Sequence, residues 1–370
     1  MHYTLHLTDD CNMACRYCYV KHNTRYMSKE TARAAVDLAA KSMNPSGIVF
    51  FGGEPLLCRD VLCDTVEYAD RLAREGKGKF YYKITTNGLL LDDVFLNFAE
   101  KYEIFIALSH DGVRKAHDKN RIKRDGSGTF DKVEEAARRL LERRPYSPVM
   151  MTVSPDTVMY YAEGVRHLYN LGFRYIICSL DYSGDWSDES LEILRRQYHI
   201  LADYYRELTL AEEKFYLSPF EVKISSHIHK DTYCSERCEL GKKQLSVSPD
   251  GGLYPCVQFV GEVKYRVGDV FQGVDEKKRL ALYLENENER ESCRDCAVRL
   301  RCNHHCACLN KQATGDFRVV SPVLCAHERI LLPIADSLAE ELYKKRSAIF
   351  IHKHYNDMFP LLSLTEDRLN

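Results

Sequence analysis

Short β-rich runs alternate with amphipathic stretches of helical period through the first 217 or so residues. The apolar runs are Tyr3 to Leu7, Gly47 to Phe51, Phe80 to Thr85, Ile104 to Leu108, Val149 to Val153 and Tyr175 to Leu180. Behind the first comes SKETARAAVDLAAKSM, where Ser28 is a natural N-cap and Ala32, Val36, Ala39 and Met43 share one face. Behind the fourth, TFDKVEEAARRLLERR carries a stripe of Phe130, Val133, Ala137 and Leu140. Six strand-then-helix units in series demand parallel strands joined by right-handed crossovers, and such a sheet curls toward a barrel. Six is fewer than the eight that close a barrel. The expected fold class is therefore α/β, a partial (β/α)6 TIM barrel over residues 1–217, open at one side.

Past residue 217 this rhythm stops. Residues 218–330 read as a loop-rich domain with cysteines from Cys234 to Cys325. Residues 331–370 read as a C-terminal helix and tail. The last clear helical stripe, Ile330, Leu331, Ile334, Leu338 and Leu342, predicts a helix from about Glu328 to Lys345 that docks back on the barrel.

Hydrophobic residues make up 45% and charged residues 29% of the 370, with a net charge of -2, so no basic excess points to nucleic acid. The start, MHYTLHLTDDC, lacks a cationic and apolar export signal, and no run of 18 apolar residues suggests a membrane span. A cytoplasmic protein is expected. Fifteen cysteines are then the anomaly, because a chain without an export signal usually spends thiols on metals or catalysis rather than on disulfides. Such clustered thiols oxidise readily, which suits an anaerobic or strongly reducing setting.

Three of them, Cys11, Cys15 and Cys18, sit on the turn after the first strand with spacing C-x3-C-x2-C. Three thiolates on a cubane iron-sulfur cluster leave one of its four irons open to a non-protein ligand, which suits an enzyme better than an electron carrier. The competing reading is a closed Cys3His zinc site completed by His22. In parallel α/β folds ligands sit at the carboxyl ends of the strands. Gly52-Gly53-Glu54-Pro55 follows strand two, Thr86-Asn87-Gly88 ends strand three and Ser109-His110-Asp111-Gly112 ends strand four. Four strand ends would converge on one pocket, and that context favours iron.

The turn CNMACRYC, with GGEP, TNG and a Ser-x-Asp-Gly at the next three strand ends, resembles the radical S-adenosylmethionine enzymes. The resemblance implies that Cys11, Cys15 and Cys18 hold a [4Fe-4S] cluster whose fourth iron is chelated by S-adenosylmethionine, the source of a 5′-deoxyadenosyl radical that abstracts hydrogen from carbon. Gly52, Gly53 and Glu54 would then hold the methionine amino group, with no room for a Cβ beside the ligand. Ser109 and Arg121 would meet its carboxylate, for which a guanidinium is well matched. Asn87 would lie near the ribose and Tyr17 near the adenine.

The C-terminal third carries a second resemblance. Cys238-x12-Gly251-x4-Cys256, then Cys293-x2-Cys296-x5-Cys302-x3-Cys306 and finally Cys325, resembles the seven-cysteine SPASM extension, which binds two auxiliary [4Fe-4S] clusters. By that resemblance, Cys234 supplies the eighth thiolate. Auxiliary cluster I would use Cys234, Cys238, Cys256 and Cys306, and cluster II Cys293, Cys296, Cys302 and Cys325, for three clusters in all. Of the cysteines left over, Cys58 and Cys63 read as structural thiols, Cys178 is a candidate for the substrate pocket, and Cys308 could substitute for a neighbouring ligand.

Enzymes of this layout mostly modify ribosomally made peptides or proteins, with an electron donor such as flavodoxin or ferredoxin. Two subclasses compete. Anaerobic sulfatase-maturating enzymes, which make formylglycine, place a basic aspartate directly after the cysteine that Cys256 matches; this chain has Val257, which accepts no proton. The favoured expectation is a peptide maturase forming a thioether cross-link from a Cys, with other carbon–carbon cross-linking or epimerising chemistry behind it. Strand one begins near residue 3, which leaves no room for a leading recognition domain, so a separate peptide-recognition protein or the barrel itself would bind the leader. A metal-binding scaffold without substrate chemistry is the reading from another class, and it leaves the strand-end motifs without a task.

Overall fold

The computed structural model describes residues 1–42, 44–229 and 238–369. Met43 and Cys234, both used above, lie outside the described residues. Six parallel strands run in sequence order: β1 His2–Thr8, β2 Ser46–Gly52, β3 Phe80–Thr86, β4 Phe105–Ser109, β5 Val149–Val153 and β6 Tyr175–Leu180. Helices α1 Lys29–Ala40, α2 Arg59–Arg74, α3 Asp93–Lys101, α4 Arg114–Asn120, α5 Phe130–Arg143 and α6 Tyr161–Leu171 fill the crossovers, with two of them, α4 and α5, between β4 and β5. The Ser28 side chain accepts from the Thr31 N–H, so the cap that starts α1 is the one its sequence suggests. Leu5, Leu7, Ile48, Phe50, Ile84, Ile106 and Leu108 are all buried along the strands. Within each strand these are alternate positions, so they line one face of the sheet, while β3 and β5 leave the other face half-buried.

The sheet is wider than the β/α rhythm predicts. After the long α7 Asp188–Leu210, the short β7 Tyr216–Leu217 pairs parallel with β6 and extends one edge. Then α8 Ser218–His229 follows. At the other edge β8 Gln244–Val247 pairs parallel with β1 and β9 Leu253–Tyr254 antiparallel with β8, giving the order β7-β6-β5-β4-β3-β2-β1-β8-β9. The barrel stays open between β7 and β9. Strands of two to four residues are too short to show a period of two, which is why the sequence reads them as loop.

The rest of the cysteine-bearing region holds the ribbon β10 Gly268–Asp269 with β11 Gly273–Val274, and helices α9 Glu276–Glu287 and α10 Ala307–Thr314. The final stripe forms α11 Pro322–Lys344, capped by Ser321 and packed along α7 and α8. It starts six residues before the expected Glu328, because the cap and Pro322 at the first turn set the true start, and Cys325 therefore lies on the helix. Helices α12 Ala348–Tyr355 and α13 Phe359–Leu369 complete the chain, α13 docking under the barrel through Tyr175 Oη to Asp367 at 2.6 Å. Among the described residues no helix is long and apolar enough to cross a membrane.

Candidate functional site

The carboxyl ends of all six strands β1 to β6 surround a cavity of about 260 Å³. Cys11, Cys15, Tyr17, Cys18, Gly52, Gly53, Glu54, Asn87, Ser109 and Arg121 all line it, so the structure brings together every residue that the first resemblance singles out. The cysteine turn is pinned from below: Ala14 N–H donates to Ile122 O (2.8 Å) and Arg16 N–H to Asn120 O (3.0 Å), on the segment that also presents Arg121. Cys11 Sγ accepts from Met13 N–H at 3.4 Å and from Asn87 Nδ2 at 3.6 Å. Burial pushes the Cys11 thiol up to about 12 and the Cys15 thiol up to about 11, so neither ionises unaided near neutral pH. A bound metal reverses that balance, since thiolates are its ligands.

These thiols fit a cluster better than a single ion. The sulfurs of one tetrahedral zinc site stand about 4 Å apart. Among the described residues, Cys11, Cys15, Cys18 and His22 form no set of three or more ligand atoms within 4.8 Å of one another. Instead His22 Nδ1 lies 3.3 Å from Asp9 O, and His22 is absent from the cavity wall. A cubane spreads its thiolates over different irons, which is the wider spacing required.

The two glycines answer to a nearer neighbour than the ligand invoked above. A Cβ on Gly53 would stand 1.9 Å from Asp10 O, and one on Gly52, at φ +116°, 2.4 Å from Thr8 O. Gly53 N–H donates to Thr8 O (2.8 Å) and Glu54 N–H to Asp10 O (2.9 Å), so the GGEP turn is clamped onto the turn that carries the cysteines. Glu54 is buried and accepts from Leu56 N–H, Thr86 Oγ1 and Asn87 N–H at 2.8–3.0 Å. Burial outweighs those bonds and lifts its carboxyl to about 7. Asn87 also donates to Asn12 Oδ1 at 2.7 Å, tying strand three to the same turn.

Arg121, Tyr17 and Asp111 form a buried trio. Arg121 Nε stands 3.0 Å from Asp111 Oδ1 and its guanidinium 5.5 Å from the Tyr17 ring centre, while Tyr17 Oη donates to Asp111 Oδ2 at 2.5 Å. Thr152 N–H supplies Asp111 Oδ1 at 2.9 Å. Asp111, noted above only as part of a strand-end motif, thus orients both residues assigned to the cofactor. Asp181 was missed: it follows β6, lines the cavity, and has Oδ1 held by Ser183 N–H and Oγ. Extending the strand-end rule to the sixth strand would have found it.

Cys178 lies elsewhere. It lines an adjoining cavity of about 190 Å³ that shares Ser179 and Leu180 with the first. Its thiol meets Tyr161 and is pushed up to about 12 by burial. The same cavity holds His327 between Tyr182 Oη (2.8 Å) and Tyr198 Oη (2.6 Å), and the Lys223–Glu328 pair (2.8 Å). Burial holds His327 down at about 3, so it is a neutral ring that accepts from one tyrosine and donates to the other.

The C-terminal cysteines gather into two groups. Cys302 and Cys325 lie close enough to influence each other, as do Cys325, Cys293 and Cys296. In the other group Cys238 and Cys306 lie within electrostatic reach of each other, as do Cys256 and Cys308. His304 and His305 turn to backbone carbonyls, of Cys302 and Asn286. Val257 is absent from the cavity wall, to which Gln258 and Gln312 contribute.

Residues 5–163 match the radical SAM superfamily. The chain carries a radical SAM domain. It is an enzyme domain that works with S-adenosylmethionine and a [4Fe-4S] cluster, and the thiol trio at the end of β1 lies within the match. The chain is 24% identical over 338 residues to the cysteine-type anaerobic sulfatase-maturating enzyme of Clostridium perfringens, covering 84% of this chain and 89% of that one. It is 24% identical over 273 residues to the radical SAM cyclopropyl synthase TigE of Paramaledivibacter caminithermalis, covering 68% and 56%. In fold it is similar to anSMEcpe solved with bound AdoMet, at a TM-score of 0.81 over 93% of this chain and 99% of that one, with 19% identity. It is also similar to Streptococcus suis SuiB bound to its precursor peptide SuiA, at a TM-score of 0.63 over 88% and 75%, with 16% identity. This radical SAM enzyme is thus related to sulfatase maturases and to peptide modifiers.

Proposed function

We propose that this radical SAM enzyme modifies a ribosomally made peptide, forming a thioether cross-link from a Cys. The observation that carries the reading is the placement of the thiol trio, Glu54, Asn87, Ser109 and Arg121 on one cavity wall, with the second cavity opening beside it at Ser179 and Leu180. The peptide-bound states named for anSMEcpe and SuiB support a peptide as substrate. Bound together, the cluster and S-adenosylmethionine supply a 5′-deoxyadenosyl radical. In this reading Cys11, Cys15 and Cys18 hold the cluster, the GGEP turn the methionine amino group, and Ser109 and Arg121 its carboxylate. Asn87 serves the ribose and Tyr17 the adenine.

Forming a C–S bond removes two hydrogens from the peptide. One leaves as an atom to the radical, the other as a thiol proton, and one electron must leave the pocket. Asp181, whose Oδ2 is not used by Ser183, accepts the proton. Residues 218–330 would be the SPASM domain, whose two cysteine groups would hold auxiliary [4Fe-4S] clusters able to take up the electron, and residues 331–370 a C-terminal helix and tail packed back on the barrel. A flavodoxin or ferredoxin delivers reducing electrons. The test is to incubate the anaerobically reconstituted protein with a Cys-containing precursor peptide encoded beside its gene. Loss of two hydrogens with the thiol consumed is expected; conversion of a sulfatase Cys or Ser to formylglycine, or deoxyadenosine released beside unchanged peptide, refutes the thioether reading.

A further inference from the structure

We propose that the cavity adjoining the radical SAM cavity is a side-chain pocket for a carboxamide, so that the peptide carries an Asn or Gln near the residue that is modified. The inference rests on the reading of the substrate as a peptide. At about 190 Å³ the cavity is smaller than the roughly 300–1,000 Å³ of a site for a whole small ligand. Ser179 and Leu180 line both cavities, so a single side chain reaching past the end of β6 suits it. Leu324, His327, Glu328 and Leu331 line it from one face of α11, at positions i, i+3, i+4 and i+7, and Ile177 of β6 and Val222 of α8 add apolar wall.

Charge narrows the occupant first. Lys223 and Glu328 are both buried and paired at 2.8 Å, so a third charge brought in by a charged side chain would stand without a partner. The occupant is therefore neutral. Hydrogen bonding narrows it further. Asn303 N–H donates to Glu328 Oε1 at 3.2 Å, which sets the two side by side on the cavity lining. Among the described residues, Asn303 Oδ1 has no hydrogen-bond partner, and Glu328 Oε2 has the Lys223 ammonium beside it but no bond of good geometry. Both are acceptors in need of a donor. His327 lies between Tyr182 Oη (2.8 Å) and Tyr198 Oη (2.6 Å), and an imidazole accepts at most one hydroxyl hydrogen, so one of these tyrosines must donate elsewhere. Tyr161, with its ring centre 5.7 Å from that of Tyr198, has no partner of good geometry for its own hydroxyl. Even if Tyr198 donates to Tyr161, one phenolic hydrogen is left over. A carboxamide answers this set, with two N–H for the two acceptors and a C=O for the phenol. A hydroxyl brings one hydrogen and an alkyl group none, and a group that cannot replace the hydrogen bonds of the water it displaces loses affinity.

The test measures kcat/KM of the anaerobically reconstituted enzyme on the precursor peptide encoded beside its gene, with each Asn and Gln of that peptide replaced in turn by an apolar near-isostere (Leu or Met) and by the matching acid. The proposal expects one position at which both replacements lower kcat/KM by about ten- to a hundredfold. In the Asn303→Leu enzyme, which has lost an acceptor, the native peptide should fall toward its apolar variant, closing most of that gap; a merely structural defect slows both peptides alike and keeps the gap. A precursor without Asn or Gln, a scan in which every variant stays within about twofold of the native peptide, or an unchanged gap in Asn303→Leu overturns the pocket assignment while the peptide reading stands. A native precursor that is never modified overturns both. Should Asn303→Leu fail to hold its iron, the peptide scan with the wild-type enzyme decides alone.

Discussion

Replacing Asp111 by Asn removes one charge from the buried trio and leaves its shape nearly intact. Asp111 and Arg121 are 1% and 7% exposed, so water cannot step in for the lost partner. The carboxylate takes the Arg121 Nε contact at 3.0 Å, the Thr152 N–H at 2.9 Å and the Tyr17 hydroxyl at 2.5 Å. An Asn keeps one carbonyl, enough for Thr152, and turns an NH2 toward Tyr17. The guanidinium then stands without its counter-charge. Removing one member of a buried pair costs about 3–5 kcal/mol, far more than an exposed pair would. Arg121→Gln is milder, since Asp111 keeps two donors, and we expect about 2 kcal/mol. In the double variant no charge is stranded, so it should be more stable than the sum of the singles implies, by about 2 kcal/mol of coupling. Urea unfolding of the iron-loaded, S-adenosylmethionine-free protein, followed anaerobically by far-UV circular dichroism, measures all three. A loss under about 1 kcal/mol for Asp111→Asn, or strictly additive effects, would refute the claim that Asp111 holds Arg121 in place.

Glu54 gives a pH signature: its carboxyl is lifted from 4.5 to about 7, so the folded chain binds a proton that the unfolded chain has already released. Stability from this group is present below about pH 4.5 and is lost as pH rises toward 7, by up to about 3 kcal/mol, and Glu54→Gln should flatten that slope in unfolding titrations across the range. Gly53→Ala drives a methyl into Asp10 O, 1.9 Å from its ideal position, so the clamp on the cysteine turn must open and iron retained after desalting should fall well below that of wild type. Asp181→Asn keeps the cavity wall but removes the proton acceptor: deoxyadenosine release should persist while peptide product falls by about a hundredfold or more, and a product yield equal to wild type would exclude Asp181 as the base.

Local signals were enough for the barrel half of this protein. Each of the six long strands has its own apolar run, and the helix signals hold as far as Ser28 and the Phe130 stripe, because burial on a sheet or helix face must be written residue by residue in the chain. The strand-end rule then brought Cys11, Glu54, Asn87 and Ser109 to one cavity without any knowledge of distance, and the family resemblance added Arg121. What the sequence leaves open is decided by packing between distant segments. Strands β7 and β8 exist because existing sheet edges supply their partners, so their two to four residues need no pattern of their own. The glycines of GGEP make room for the Thr8 and Asp10 carbonyls, and Asp111 meets Tyr17 from 94 residues away, neither of which spacing along the chain can announce. Sequence determined which residues can do the chemistry; only the folded arrangement decided which of them share a neighbourhood, since hydrogen bonds and ion pairs act over a few ångströms in space and not along the chain.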